Sequence, residues 1–199
     1  SFAYDLPRWH RGLLGDLRRD LSTPVQFGND VNLVAIAEAH SGAAAGVRNF
    51  ALIWIGRGVG LAVMIDGRLH HGSTGAAGEI GWLPVPGAEV PRNVSRRNVS
   101  RRGVQGAFQA LAGAEAAKAI GRKHGFRGAE AADVIRAAVA AGEAGEPVLD
   151  ELAGRLALGV AATSVILDPP LVVLAGEVSQ AGGPALAERV EREVAAITL

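Results

Sequence analysis

The stretch from Phe50 to Gly81 constrains the fold more than any other part of the chain. Phe50–Ile55 and Gly60–Ile65 are apolar runs separated by Gly56-Arg57-Gly58-Val59, and the second leads into Asp66-Gly67 and then Arg68–His70. An Asp-Gly pair between such runs favours a two-residue hairpin turn, because both residues tolerate positive φ. The spacing therefore predicts a meander of three short antiparallel strands. Glycines at 72, 75, 78 and 81 follow, ahead of Trp82–Val85. Glycine at that density predicts a backbone pressed close to something else.

Beyond this point the pattern turns helical. Ala107–His124, Ala129–Ala141 and Pro147–Leu167 are rich in Ala and Leu at helical spacing. Leu171–Ala175 reads as a buried strand stopped by Gly176, with a last helix expected from Pro184. Ahead of the meander, residues 9–21 read as a polar helix and Pro24–Phe27 as a short strand. Val31–His40 reads as a helix with Val31, Leu33, Val34 and Ala37 as its apolar positions. An antiparallel start followed by alternating helix and strand predicts an α/β fold with a mixed sheet flanked by helices.

Composition narrows the function. Twenty basic and twenty acidic residues cancel, so there is no global positive field to hold nucleic acid, and DNA contact is expected only through a module outside this chain. With no cysteine, disulfides and thiolate-bound zinc are excluded. The first residues lack the basic start and apolar core of a signal peptide, and no apolar run reaches the roughly 18 residues of a membrane span. A cytoplasmic protein without membrane contact is expected. The chain starts in an Asp-Leu-Pro stretch and stops within a helical pattern at Ile197-Thr198-Leu199, so residues 1–199 are expected to be one piece of a larger protein.

Three motifs carry chemistry. In Val25-Gln26-Phe27-Gly28-Asn29-Asp30-Val31-Asn32 a strand is expected to end and a helix to begin. Asn29 and Asp30 have two readings there: a cap for first-turn amides, or an amide and a carboxylate presented to a polyol, with Asp30 able to take a proton from a hydroxyl. The turn Gly56-Arg57-Gly58-Val59-Gly60 can cradle phosphate with its amides, yet a tight turn needs the same glycines. In Gly72-Ser73-Thr74-Gly75-Ala76-Ala77-Gly78-Glu79-Ile80-Gly81-Trp82, Glu79 stands among residues too small to shield it. It reads as a grip on sugar hydroxyls with the Trp82 indole over a ring face, or as a solvated glutamate beside a core tryptophan.

Taken in order, Asn29-Asp30-Val31-Asn32 to Glu38, Gly56-Arg57-Gly58-Val59-Gly60, Ile65-Asp66-Gly67-Arg68-Leu69 and Gly75-Ala76-Ala77-Gly78-Glu79-Ile80-Gly81 resemble the ROK family (repressor, open reading frame, kinase). Leu167-Asp168-Pro169-Pro170-Leu171 through Gly176 resembles the family's late helix, proline and strand, so the resemblance spans almost the whole chain. It implies an actin-like, ribonuclease-H-like ATPase fold, here incomplete. It also implies Asn29, Asp30, Gly75 and Glu79 as sugar-binding positions, with Asp30 as the base in a kinase. Gln109, where the family has a sugar-binding glutamate, is either a further sugar contact or an exposed helix residue.

The chain also departs from the family. Trp82 stands where a histidine is usual, and Ala107 where a cysteine is usual. The family's cysteine cluster is replaced by a perfect tandem repeat, Arg92-Asn93-Val94-Ser95-Arg96 and Arg97-Asn98-Val99-Ser100-Arg101. No metal site is expected, and histidines 10, 40, 70, 71 and 124 read as surface or turn residues. The repeat reads as a solvated loop, with nucleic acid or phosphate contact as the alternative. On the nucleotide side Arg57 replaces a threonine, and the late Gly-Gly turn reads Ala175-Gly176-Glu177, where an inward glutamate would repel phosphate. The leading expectation is a sugar-binding effector domain of a transcriptional regulator, homodimeric and without cofactor. The alternative is an ATP-dependent sugar kinase using magnesium.

Overall fold

The structure, a computed structural model, describes residues 10–25, 28–91 and 106–198. Four strands form one mixed sheet: β1 (Phe50–Ile55), β2 (Val59–Ile65), β3 (Arg68–Leu69) and β4 (Val172–Ala175), in the order β3-β2-β1-β4. The meander is present as expected. β1 and β2 run antiparallel with Ile55 opposite Val59 and Phe50 opposite Met64. The Asp66-Gly67 turn has φ of 53° and 74°, which aligns Ile65 with Arg68 in the β2–β3 pair. β4 adds parallel to β1, with Leu52 opposite Val173.

Both faces of β1 are covered, which explains why Phe-Ala-Leu-Ile-Trp-Ile does not alternate with polar residues. On one face, α2 (Asp30–Ser41) sets Val31 and Ala35 against Phe50, Leu52, Ala62, Met64 and Val173. On the other, Ile53, Ile55 and Val59 pack into a larger cluster with Phe108, Ile120, Ile135, Leu152 and Leu156. The helices supplying that cluster are α3 (Ala107–Ala112), α4 (Ala114–Lys123), α5 (Ala131–Ala140), α6 (Glu146–Leu167) and α7 (Glu177–Ile197). A polar helix α1 (His10–Leu21) precedes α2. This is the helix-flanked mixed sheet that the pattern predicts.

The structure corrects three boundaries. Ala107–His124 is two helices, because Gly113 adopts an extended backbone (φ −73°, ψ 180°) and caps both. The last helix begins at Glu177, ahead of Pro184; Gly183 (φ 52°, ψ −147°) kinks it where the proline lacks an N–H and crowds the preceding turn. Pro24 and Val25 are not strand, while Gln26 and Phe27 lie outside the described residues, as do residues 1–9. The tandem repeat at 92–101 also lies outside them. No helix among the described residues is long and apolar enough to cross a membrane.

Candidate functional site

The N-terminus of α2 is built by its own sequence. Asn29 is the N-cap: its Oδ1 accepts the Val31 N–H at 2.8 Å, and Asp30 Oδ1 shares the same donor at 3.0 Å. The capping interaction read from the sequence is thus present. Both residues are exposed, the Asn29 Nδ2 donates to nothing among the described residues, and the second Asp30 oxygen is likewise free there. Val31 then presses on β2 at Gly60, where a Cβ would come 2.9 Å from the valine methyl. This contact fixes the capped end of α2 over the start of β2.

The glycine loop also docks on β2. Leu61 N–H donates to the Gly78 carbonyl at 2.9 Å, so the loop docks on β2 one residue beyond the Val31 contact. Gly78 has φ 93°, and a Cβ there would overlap the Leu61 carbonyl oxygen, so only glycine serves. The next residue, Glu79, begins a short 3-10 turn, Ile80–Trp82. Its carboxylate is exposed and has no hydrogen bond or ion pair among the described residues. Gly75 (φ 76°) is exposed in the same loop, and Trp82 is 39% exposed beside Glu79. Gly60 and Leu61, adjacent in sequence, therefore anchor the Asn29-Asp30 pair and the Glu79 loop.

Gln109 does something sequence reasoning missed. Its Oε1 accepts the Val59 N–H at 2.6 Å and its Nε2 donates to the Arg57 carbonyl at 2.9 Å. The side chain is half-buried and ties α3 to the Gly56–Val59 turn. The amide retains one N–H and one lone pair for anything else.

The Gly56–Val59 turn holds a second unforeseen contact. Arg57 N–H donates to Glu177 Oε1 at 3.1 Å. Gly56 lies so close to this carboxylate that a Cβ would collide with it, and Gly56 N–H bonds the Gly58 carbonyl at 3.0 Å. The Ala114 N–H closes the arrangement onto the Gly56 carbonyl at 3.1 Å.

Glu38 and Glu151 make structural contacts. Glu38 Oε2 accepts the Ala43 N–H at 2.7 Å, fastening the chain that leaves α2. Glu151 joins α6 to α4: Lys123 Nζ lies at 2.8 Å, His124 Nε2 at 3.0 Å and Arg155 at 2.7 Å. Lys123, His124 and Arg155 hold its pKa down to about 2 from the ordinary 4.5, against partial burial, which raises it. Among the described residues no three His, Asp or Glu side chains come together as a metal site. A groove of about 610 Å³ runs between α2 and β3, lined by Asn32, Leu33, Ile36, His40, Arg68 and His71 among others. Neither Asp30 nor Glu79 lines it.

Residues 6–198 match the ROK family model. The chain belongs to the ROK family. A glucokinase from Halalkalibacterium halodurans is 32% identical, with the match covering 83% of this chain and 52% of that protein. Among solved structures, a ROK hexokinase from Thermus thermophilus superposes with a TM-score of 0.68 at 27% identity, covering 94% of this chain and 64% of the hexokinase. A ROK family transcriptional regulator, a homologue of the E. coli MLC protein, superposes with a TM-score of 0.73 at 23% identity, covering 94% and 48%. The actin-like ROK fold is thus shared with both kinds of family member, and this chain spans about half the length of the curated relatives it matches. Within the ROK family the resemblance read from the motifs stands, whereas kinase and regulator are not separated by fold.

Proposed function

We propose that this chain is the sugar-binding effector part of a ROK-type transcriptional regulator, binding sugar through Asn29, Asp30 and Glu79. The observation that carries the reading is the shared anchorage at Gly60-Leu61: two exposed carboxylates and a free amide N–H₂ are supplied by elements fixed to adjacent residues of one strand. Carboxylates accept from sugar hydroxyls and the amide donates to them, which is the donor–acceptor mixture a polyol needs. Trp82 offers a partly exposed indole beside Glu79 for an apolar ring face. Gly75 lines the approach by its backbone. Gln109 acts here mainly by holding the turn behind β2.

In this reading sugar binding shifts the position of the two anchored elements, and a DNA-binding module outside this chain, in a cytoplasmic homodimer, responds. The kinase reading has its own support in the 32% identity to a glucokinase. Magnesium-ATP would supply the phosphoryl group, and Asp30 would accept the proton of the attacked hydroxyl. Isothermal titration of the full-length protein with hexoses and amino sugars tests the shared core of both readings: saturable binding is expected, and no binding to any sugar sinks the sensor. A coupled assay separates them. Phosphorylation that disappears in Asp30→Asn establishes the kinase instead.

A further inference from the structure

The kinase relatives make ATP the group this fold would be expected to receive, and the Gly56–Val59 turn is a glycine-rich backbone able to meet a phosphate. We infer that this turn is closed to nucleotide phosphate by the chain's own Glu177, whose carboxylate occupies the Arg57 amide. Three features support this. Arg57 N–H, the outward donor of the turn, is already bonded to Glu177 Oε1 at 3.1 Å. Both carboxylate oxygens and the carboxylate carbon stand against Gly56, in the space a Cβ would need. The turn itself is not free to retreat, because Gln109 bonds both Arg57 O and Val59 N–H and the Ala114 N–H bonds Gly56 O.

Glu177, an exposed residue, supplies an anion from within the chain itself. Glu177 is the first residue of α7, which breaks at Gly183. Its carboxylate satisfies the Arg57 backbone donor. A phosphate approaching Arg57 therefore meets a donor already in use and a like charge in contact range, and both oppose it. The Arg57 guanidinium makes no ion pair among the described residues. With the carboxylate removed, the turn would present a free backbone donor and a guanidinium to an anion.

The inference does not depend on which sugar is bound, and its test uses none. Inorganic pyrophosphate, and separately magnesium-ATP, is titrated into the full chain while the Arg57 amide is followed by ¹⁵N–¹H NMR, in wild type, Glu177→Ala and Glu177→Gln. The wild-type resonance is expected to stay unmoved, whereas Glu177→Ala shifts it saturably with an affinity at least about tenfold tighter. Glu177→Gln keeps the length and an acceptor for Arg57 while losing the charge. It is expected to respond more weakly than the alanine variant, and it carries the test should that variant fail to fold. Either of two results overturns the inference: a wild-type Arg57 amide that shifts with pyrophosphate or ATP as readily as the variants, or folded variants that remain as silent as wild type. Loss of sugar binding in the calorimetric experiment would sink the sensor and leave this result untouched.

Discussion

Asp30 and Glu79 at one end of β2, and Glu177 and Glu151 elsewhere, are all carboxylates whose surroundings give them opposite tasks. Asp30, Glu79 and Glu177 are all exposed, and neither of the first two meets a cationic side chain among the described residues. Glu177 is bonded to a backbone amide across the Gly56 turn, and Glu151 is surrounded by three cationic groups. A carboxylate that has spent its lone pairs on protein donors stabilises the fold and is costly to recruit for a ligand. The Glu79 carboxylate has spent none and is available, whereas Asp30 has committed Oδ1 to the Val31 N–H and keeps its second oxygen. The molecule thus holds an open class of carboxylate oxygens, free of protein donors, apart from a closed class committed to fixed contacts.

The largest effect should come from breaking the open side. Replacing Glu79 with alanine removes charge-assisted bonds to sugar hydroxyls, so sugar affinity is expected to fall about a hundredfold by calorimetry. The melting temperature without sugar should stay where it was, since the Glu79 side chain bonds nothing among the described residues. A variant that unfolds more easily while binding sugar normally would assign Glu79 to the closed class and remove it from the site.

Next in size is the closed side. Glu151→Gln is expected to cost about 2 kcal/mol at neutral pH by denaturant titration, with the exposed Lys123 ammonium screened by water, and to leave sugar affinity unchanged. The pH dependence has a definite sign. Because the folded pKa is lowered to about 2 from the ordinary 4.5, the stabilisation is complete above about pH 4.5 and is lost as the pH falls towards 2. Wild type and variant should therefore converge at acid pH. A difference that persists at pH 2 would mean that Glu151 acts through packing instead of charge.

The same contrast explains what was legible in the sequence. The meander, the Asp66-Gly67 turn and the crowding at Gly78 were readable because each is set by local rules of periodicity and positive φ. Asn29 and Asp30 were placed at a helix start for the same reason. Gln109 and Glu177 were not readable in their observed roles, because their partners lie 50 to 52 and 120 residues away and no spacing rule links them. Sequence marks Glu177 only as a charge that repels phosphate if it points inward, and its bond to Arg57 is visible only in three dimensions. The split at Gly113 was missed because alanine-rich sequence on both sides carries the same helical signal. The kink at Gly183 was read as a helix start, since a glycine-proline step looks alike in either case.

Asn29 belongs to both classes and gives the finest test. Its Oδ1 is committed to the Val31 N–H, while its Nδ2 donates to nothing among the described residues. Asn29→Asp keeps a capping oxygen and loses the donor, so stability should hold while sugar affinity drops by about fivefold, the scale of one neutral hydrogen bond. Asn29→Ala loses both. It should bind as poorly and also cost about 0.5 to 1 kcal/mol in chemical denaturation, near the low end for a cap because Asp30 Oδ1 already shares the Val31 N–H at 3.0 Å. If the aspartate variant binds sugar as wild type does, the free amide is not a ligand contact and Asn29 is a cap alone.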